Sequence, residues 1–156
     1  GSSIGVSICK KYDQLMKIIR RNKKYKDVII EQYVPGQEIQ VAVMGNKPLG
    51  AIELRPKRKF YDYKAKYSKS AKTQHIMPAS ISKKKYIEVL KIAKKAHKKI
   101  GCRGITRSDF RFYKNKFYLL EINTQPGMTA LSLVPEIARF KKISFYNIPC
   151  YNWIFG

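Results

Sequence analysis

The sequence predicts an α+β fold, and three observations carry that expectation. Between 103 and 123, two β-rich runs flank a short polar turn. Between 38 and 54, a second pair of runs is separated by Gly45-Asn46-Lys47-Pro48. Two further stretches, 10–22 and 82–100, repeat apolar residues at helical rather than strand spacing. At 156 residues the chain is one domain or a piece of a larger one.

Residues 1–7, GSSIGVS, read as a small-residue loop. Its backbone N–H groups and hydroxyls suit phosphate oxygens, although an N-terminal GSS is also what cloning leaves behind. A helix over 10–22 follows, with Leu15, Ile18 and Ile19 as an apolar stripe that should pack on a sheet. The run DVIIEQYV at 27–34 reads as a strand interrupted by Glu31, and Pro35-Gly36 as a turn. Glu38 opens an alternating strand to Met44, and 49–54 completes the meander.

FYDYKAKY, 60–67, mixes aromatic and polar residues and suits a binding loop better than a core. Tyrosines among lysines also suit stacking on nucleic-acid bases. A short strand at 73–77 and a connector at 78–81 lead to Ser82, a good N-cap for a helix reaching Ile100, with Gly101 as its stop. His75 and His97 have no partner pattern and read as structural. A last helix is expected over 131–140, with Ser132 in its first turn, where open N–H groups and a hydroxyl suit a carboxylate. In the tail, Pro149 and its aromatic neighbours argue against a further helix.

The hairpin carries the chemistry. Lys114-Asn115-Lys116 reads as a three-residue loop, with Asn115 able to take a left-handed conformation. That loop sets Tyr113 opposite Phe117, Asp109 opposite Glu121 and Arg107 opposite Asn123. Opposed residues share a sheet face, so two carboxylates, an amide and a guanidinium project together. Carboxylate and amide oxygens suit a hard cation such as Mg²⁺, and an arginine suits phosphoryl charge. A solvated cross-strand salt bridge among Arg107, Asp109 and Glu121 explains the same residues equally well. Gln125-Pro126-Gly127 adds weight to the first reading, because a glycine there lets backbone N–H groups approach an anion.

Composition narrows the classes. No run of about 18 apolar residues is present to span a membrane, and no secretory signal is visible. Cys9, Cys102 and Cys150 are an odd number without metal-ligand spacing, which fits a reducing cytosol. Lys and Arg total 33 against 10 acids, a net charge of +23. Such charge suits nucleic acid. The lysines are spread along the whole chain, however, and accompany abundant Ile, Tyr and Asn, as A- and T-rich coding DNA produces. No nucleic-acid-binding signature goes with them, so compositional drift is the favoured explanation.

Arg107-x-Asp109, LLEINTQPGMT at 119–129 and Ser132-Leu133-Val134-Pro135 together resemble the C-terminal part of D-alanine–D-alanine ligase, an ATP-grasp family. GSSIGVS resembles that family's phosphate-covering loop. EQYVPGQE at 31–38 resembles its adenine and ribose segment, and FYDYKAKY its mobile active-site loop. The resemblance implies the ATP-grasp C-terminal lobe over 1–145, a mostly antiparallel sheet with packed helices. It also implies that the N-terminal substrate domain and the upstream ATP-binding strand are missing, and that 146–156 is a divergent tail, frameshifted or truncated.

What the resemblance implies of function is ATP-dependent synthesis of D-alanyl-D-alanine for peptidoglycan, through an acyl phosphate. ATP and two D-alanine molecules would be the partners, without membrane or specific nucleic acid. The compartment would be the cytoplasm, and the full-length family could form a homodimer. Asp109, Glu121 and Asn123 would hold two Mg²⁺ or Mn²⁺ ions. Ser2 and Ser3 would contact ATP phosphates, Glu31 the adenine and Glu38 the ribose. Lys66 would meet phosphate or the acceptor's carboxylate, and Tyr67 would hydrogen-bond Ser2. Arg107 and the Gly127 N–H would stabilise the tetrahedral species, and Ser132 and Leu133 would hold the second D-alanine's carboxylate. The chain departs from the family at Gln32, usually basic, and at Lys64, usually Glu. With half the cleft missing, the chain alone is expected to have negligible ligase activity. Two other classes stand beside this one: another ATP-grasp carboxylate–amine ligase, and a basic nucleic-acid-binding module.

Overall fold

The computed structural model describes residues 5–23, 25–56 and 73–148. Five antiparallel strands form one sheet in the order β3-β2-β1-β4-β5: β1 Gln37–Met44, β2 Lys47–Arg55, β3 Gln74–Ile76, β4 Ile105–Tyr113 and β5 Lys116–Asn123. Among the described residues three helices accompany it: α1 Tyr12–Arg21, α2 Lys83–Lys99 and α3 Leu133–Phe140. The expected α+β architecture is therefore present. No helix among the described residues is long and apolar enough to cross a membrane.

Strand alternation divides the core into two layers. Ile39, Val41, Val43, Ala51 and Phe110 project to one face, where Val89 and Ala93 of α2 cover them. Ala42, Met44, Ile52 and Ile105 project to the other, where Val134, Ile137 and Ala138 of α3 cover them. Ile148 is buried in this second layer. On this face α3 lies over β2 and β1, while the β4 residues that follow Ile105 on the same face, Arg107, Asp109 and Arg111, are polar.

Local chemistry sets the helix ends. Ser82 Oγ accepts from the Lys85 N–H at 3.3 Å as the N-cap of α2. At the other end Gly101 adopts φ +72°, and the Gly101 and Cys102 N–H groups bond back to Lys98 and His97. His97 is buried on α2 with Nδ1 2.8 Å from Thr106 Oγ1 of β4, and burial lowers its pKa, so the ring is neutral. His75 lies 2.7 Å from Glu136 and joins β3 to α3. Both histidines serve structure.

Four expectations need correction. Residues 27–34 form no strand: no described strand pairs with them, and Ile29 is 87% exposed. Helix α1 forms, but its apolar stripe is only half-buried and none of its residues is fully buried, so it joins neither core layer of the sheet. The β4–β5 turn contains two residues rather than three, because both Lys114 (φ 45°) and Asn115 (φ 63°) are left-handed and Tyr113 pairs with Lys116. Finally, α3 starts at Leu133, which puts Ser132 at the N-cap instead of in the first turn. Residues 1–4 of the expected loop at 1–7, the expected loop at 60–67 and residues 149–156 of the tail lie outside the described residues.

Candidate functional site

The site grows from the β4–β5 hairpin. From the turn, Phe112 pairs with Phe117, Arg111 with Tyr118 and Phe110 with Leu119. The register then shifts by one: Asp109 pairs with Glu121, Ser108 with Ile122 and Arg107 with Asn123. Leu120 is the extra residue, a bulge in β5. The bulge makes up for the shorter turn and restores the opposition of Asp109 to Glu121 that a longer turn was expected to give.

Arg107 binds Asp109 bidentately: its Nε donates to Oδ1 at 2.8 Å and its Nη2 to Oδ2 at 3.0 Å. The same Nη2 is 3.8 Å from Glu121 Oε1. Burial pushes the Asp109 carboxyl above its ordinary value; Arg107 pulls it back, and Glu121 raises it through both charge and a hydrogen bond. The salt bridge is thus real, and it leaves two carboxylates crowded on one spot. Asn123 Oδ1 accepts from the Gln125 N–H at 3.0 Å, which turns the chain toward Gly127.

Strand β1 extends the same face. Glu38 stands opposite Arg111, and Gln40 opposite Asp109. Glu38 Oε2 lies 3.3 Å from Arg111 Nη2, and Arg111 Nη1 donates to the Gly36 carbonyl at 3.2 Å. Gly36 is required there: its φ is +105°, and a Cβ would come within 2.2 Å of the Phe112 carbonyl oxygen. Glu38 therefore sits on the face that carries Asp109, while Glu31 is exposed on the unpaired 27–34 segment.

At the far end, Ser132 Oγ accepts from the Thr129 N–H at 3.0 Å and shares a 2.8 Å hydrogen bond with Thr129 Oγ1. That side chain makes no cap bond to α3, so it leaves the N–H groups of Leu133 and Val134 unoccupied by the cap. Gly127 packs tightly against it, since a Cβ would lie 2.8 Å from Ser132 Oγ. Ser2, Ser3, Lys66 and Tyr67 lie outside the described residues.

Oxygen donors dominate this face, and they fit a divalent cation. Two opposed carboxylates carry the charge such an ion balances, and Asn123 Oδ1 keeps a second lone pair. Among the described residues no set of three or more His, Cys, Asp or Glu converges to complete such a site. An open depression lined by Lys91, Lys94, Lys95, Lys98 and Lys99 lies on α2, the helix covering the opposite sheet face, and is a solvated helix surface. Sequence reasoning missed Arg111 and Gln40. Alternation from Glu38 puts Gln40 on the same face, but only the β1–β4 register brings either residue to the carboxylates.

Comparison with known proteins agrees with this fold. A family model described as D-ala D-ala ligase C-terminus matches residues 1–148. The chain is 58% identical over 154 residues to a D-alanine–D-alanine ligase of Pelagibacter ubique, covering 99% of this chain and 50% of that protein. It is 43% identical over 150 residues to the Geotalea uraniireducens ligase, covering 95% and 48%. A crystal structure of the Bacillus anthracis D-alanine–D-alanine ligase complexed with ATP superposes with a TM-score of 0.78 at 25% identity, covering 94% of this chain and 47% of that one. The chain spans about half the length of the relatives it matches.

Proposed function

This chain belongs to the D-alanine–D-alanine ligase family through its C-terminal portion, and from that premise we propose that it supplies the metal- and nucleotide-facing half of an ATP-dependent D-alanine–D-alanine ligase. The observation that carries this reading is the meeting of Arg107, Asp109, Glu121 and Asn123 on one sheet face.

In this reaction a D-alanine carboxylate oxygen attacks the γ-phosphorus of ATP, and ADP leaves. The amine of a second D-alanine attacks the acyl phosphate carbon, inorganic phosphate leaves and the amine gives up a proton. Asp109, Glu121 and Asn123 would hold the divalent ions, Mg²⁺ or Mn²⁺, which neutralise phosphate charge when bound. The Arg107 guanidinium and the Gly127 N–H face the charge that develops on phosphoryl and carbonyl oxygens. Glu38 accepts from ribose hydroxyls and Glu31 from the adenine amino group. Ser2, Ser3 and Lys66 contact phosphate or acceptor, and Tyr67 closes over Ser2. The first N–H groups of α3, with Ser132 and Leu133, take the carboxylate of the second D-alanine. The full-length enzyme would act in the cytoplasm, and it is the full-length protein that could pair as a homodimer.

A chimera tests the reading. The 156 residues replace the matching half of the Pelagibacter ubique ligase, and phosphate release is followed with ATP and D-alanine. Turnover that needs both substrates, and that drops at least about 100-fold with Asp109→Asn, supports it. A folded chimera that binds ATP but releases no phosphate with D-alanine contradicts it.

A further inference from the structure

Among the described residues, three buried side-chain atoms have no hydrogen-bond partner: Gln40 Oε1, Ser108 Oγ and His97 Nε2. His97 belongs to α2, and Ser108 alternates to the α2 face of β4. Gln40 alone of the three projects from the face that carries Asp109, directly across the β1–β4 ladder from it. The residue is 4% exposed. A buried carbonyl oxygen without a donor costs about 1–3 kcal/mol, so its place beside the carboxylates needs a reason.

The surrounding groups supply none. Asp109 and Glu121 are acceptors when ionised. Arg107 spends Nε and Nη2 on Asp109. Arg111 turns to Glu38 and to the Gly36 carbonyl. Phosphate oxygens are acceptors too, and would leave Gln40 Oε1 as it is. A hydrated cation is a species that brings donors to a pair of carboxylates, because Mg²⁺ and similar ions keep several of their waters.

We propose that Gln40 is a positioning residue for the cation site, its carboxamide oxygen accepting a hydrogen bond from water carried by a divalent ion at Asp109 and Glu121. The proposal rests on the cation reading of that carboxylate pair. It gives β1 a part in the metal site as well as in ribose binding. It also explains why a polar side chain stands in an otherwise apolar stretch, Ile39 to Met44, of a central strand. Groups of this kind, which act on a metal through its ligands, typically change affinity 10–100-fold.

The test uses the full 156-residue chain and Mn²⁺ alone, with free Mn²⁺ read by electron paramagnetic resonance and bound water by proton relaxation. Gln40→Leu is expected to weaken Mn²⁺ about 10-fold while raising the melting temperature of the metal-free chain, because the orphaned oxygen is gone. Gln40→Met, of similar length, gives the same two signs and serves if the leucine variant misfolds. Asp109→Asn separates the two readings. If it abolishes Mn²⁺ binding while both Gln40 variants bind as tightly as the unaltered chain, the role of Gln40 is overturned and the cation site stands. If Asp109→Asn binds Mn²⁺ unchanged, or the unaltered chain binds none, the cation site falls and the proposal with it.

Discussion

Asp109 and Glu121 face each other across β4 and β5 because Leu120, between Glu121 and the rest of its strand, is bulged out of the ladder. The bulge lets the apolar pairs near the turn and the polar pairs near the loop each find their own face. Its consequence is electrostatic: two carboxylates share one partly buried spot, with Arg107 as their common cation.

That crowding should be visible as a pH effect. The native pKa of Asp109 is raised, chiefly by burial. Between its unfolded and its native pKa the folded chain therefore holds more protons than the unfolded one, and stability falls as pH rises through that window. At neutral pH the ionised form is a net cost, so Asp109→Asn should raise the melting temperature there. The gain should shrink below the ordinary Asp range, where both states are protonated. Thermal melts of both chains from pH 3 to pH 8 check this. A variant that is less stable at pH 7 than at pH 3, relative to the parent, would reverse the sign and refute the burial argument.

Gly127 and Ser132 make a second measurable pair. A Cβ on Gly127 would lie 2.8 Å from Ser132 Oγ, which Thr129 holds from two directions. Gly127→Ala should cost about 1–3 kcal/mol, as overpacking does. Ser132→Ala removes the obstructing atom, so the double variant should be less destabilised than the sum of the singles, by at least about 0.5 kcal/mol. Urea titrations of the four chains give the cycle; strict additivity would mean that the contact is not made.

The two-residue turn makes a third prediction. Lys114 holds φ 45° without the freedom of glycine. Lys114→Gly should stabilise the chain by about 0.5–1 kcal/mol, since it removes left-handed strain from a turn that requires it. A loss of stability in denaturant titration would instead favour the three-residue loop.

How much of this the sequence revealed depends on the element. Strands β1, β2 and β4, and helix α2 with its Ser82 cap, follow from periodicity and capping residues, because their own neighbours bury them. The opposition of Asp109 to Glu121 was legible too, but through two differences that cancel. A turn one residue shorter than expected and a bulge at Leu120 give the same pairing. Nothing local marks that bulge: Leu119 and Leu120 are chemically alike, and the register on the turn side goes with the packing of Phe117 against Phe112 and Phe110, with ring centroids 4.5 and 6.2 Å apart. Gln40 was invisible for a similar reason. One strand's alternation cannot say which residue of a distant strand lies opposite.

The run at 27–34 shows the limit of propensity most directly, and it yields a last prediction. DVIIEQYV has the composition of a strand, but a strand exists only with a ladder partner. Among the described residues it has none: Val28, Ile29 and Ile30 are all more than half-exposed or at that border, with Ile29 at 87%. Ile29→Lys should therefore shift stability by no more than about 0.5 kcal/mol, the range of ordinary surface substitutions. It should also reduce self-association, because exposed β-prone apolar runs invite edge pairing between chains. Amide exchange over 28–33 should be fast beside that of β1. A cost above about 2 kcal/mol, the size expected for a buried apolar side chain, would mean that the segment packs as a strand in solution.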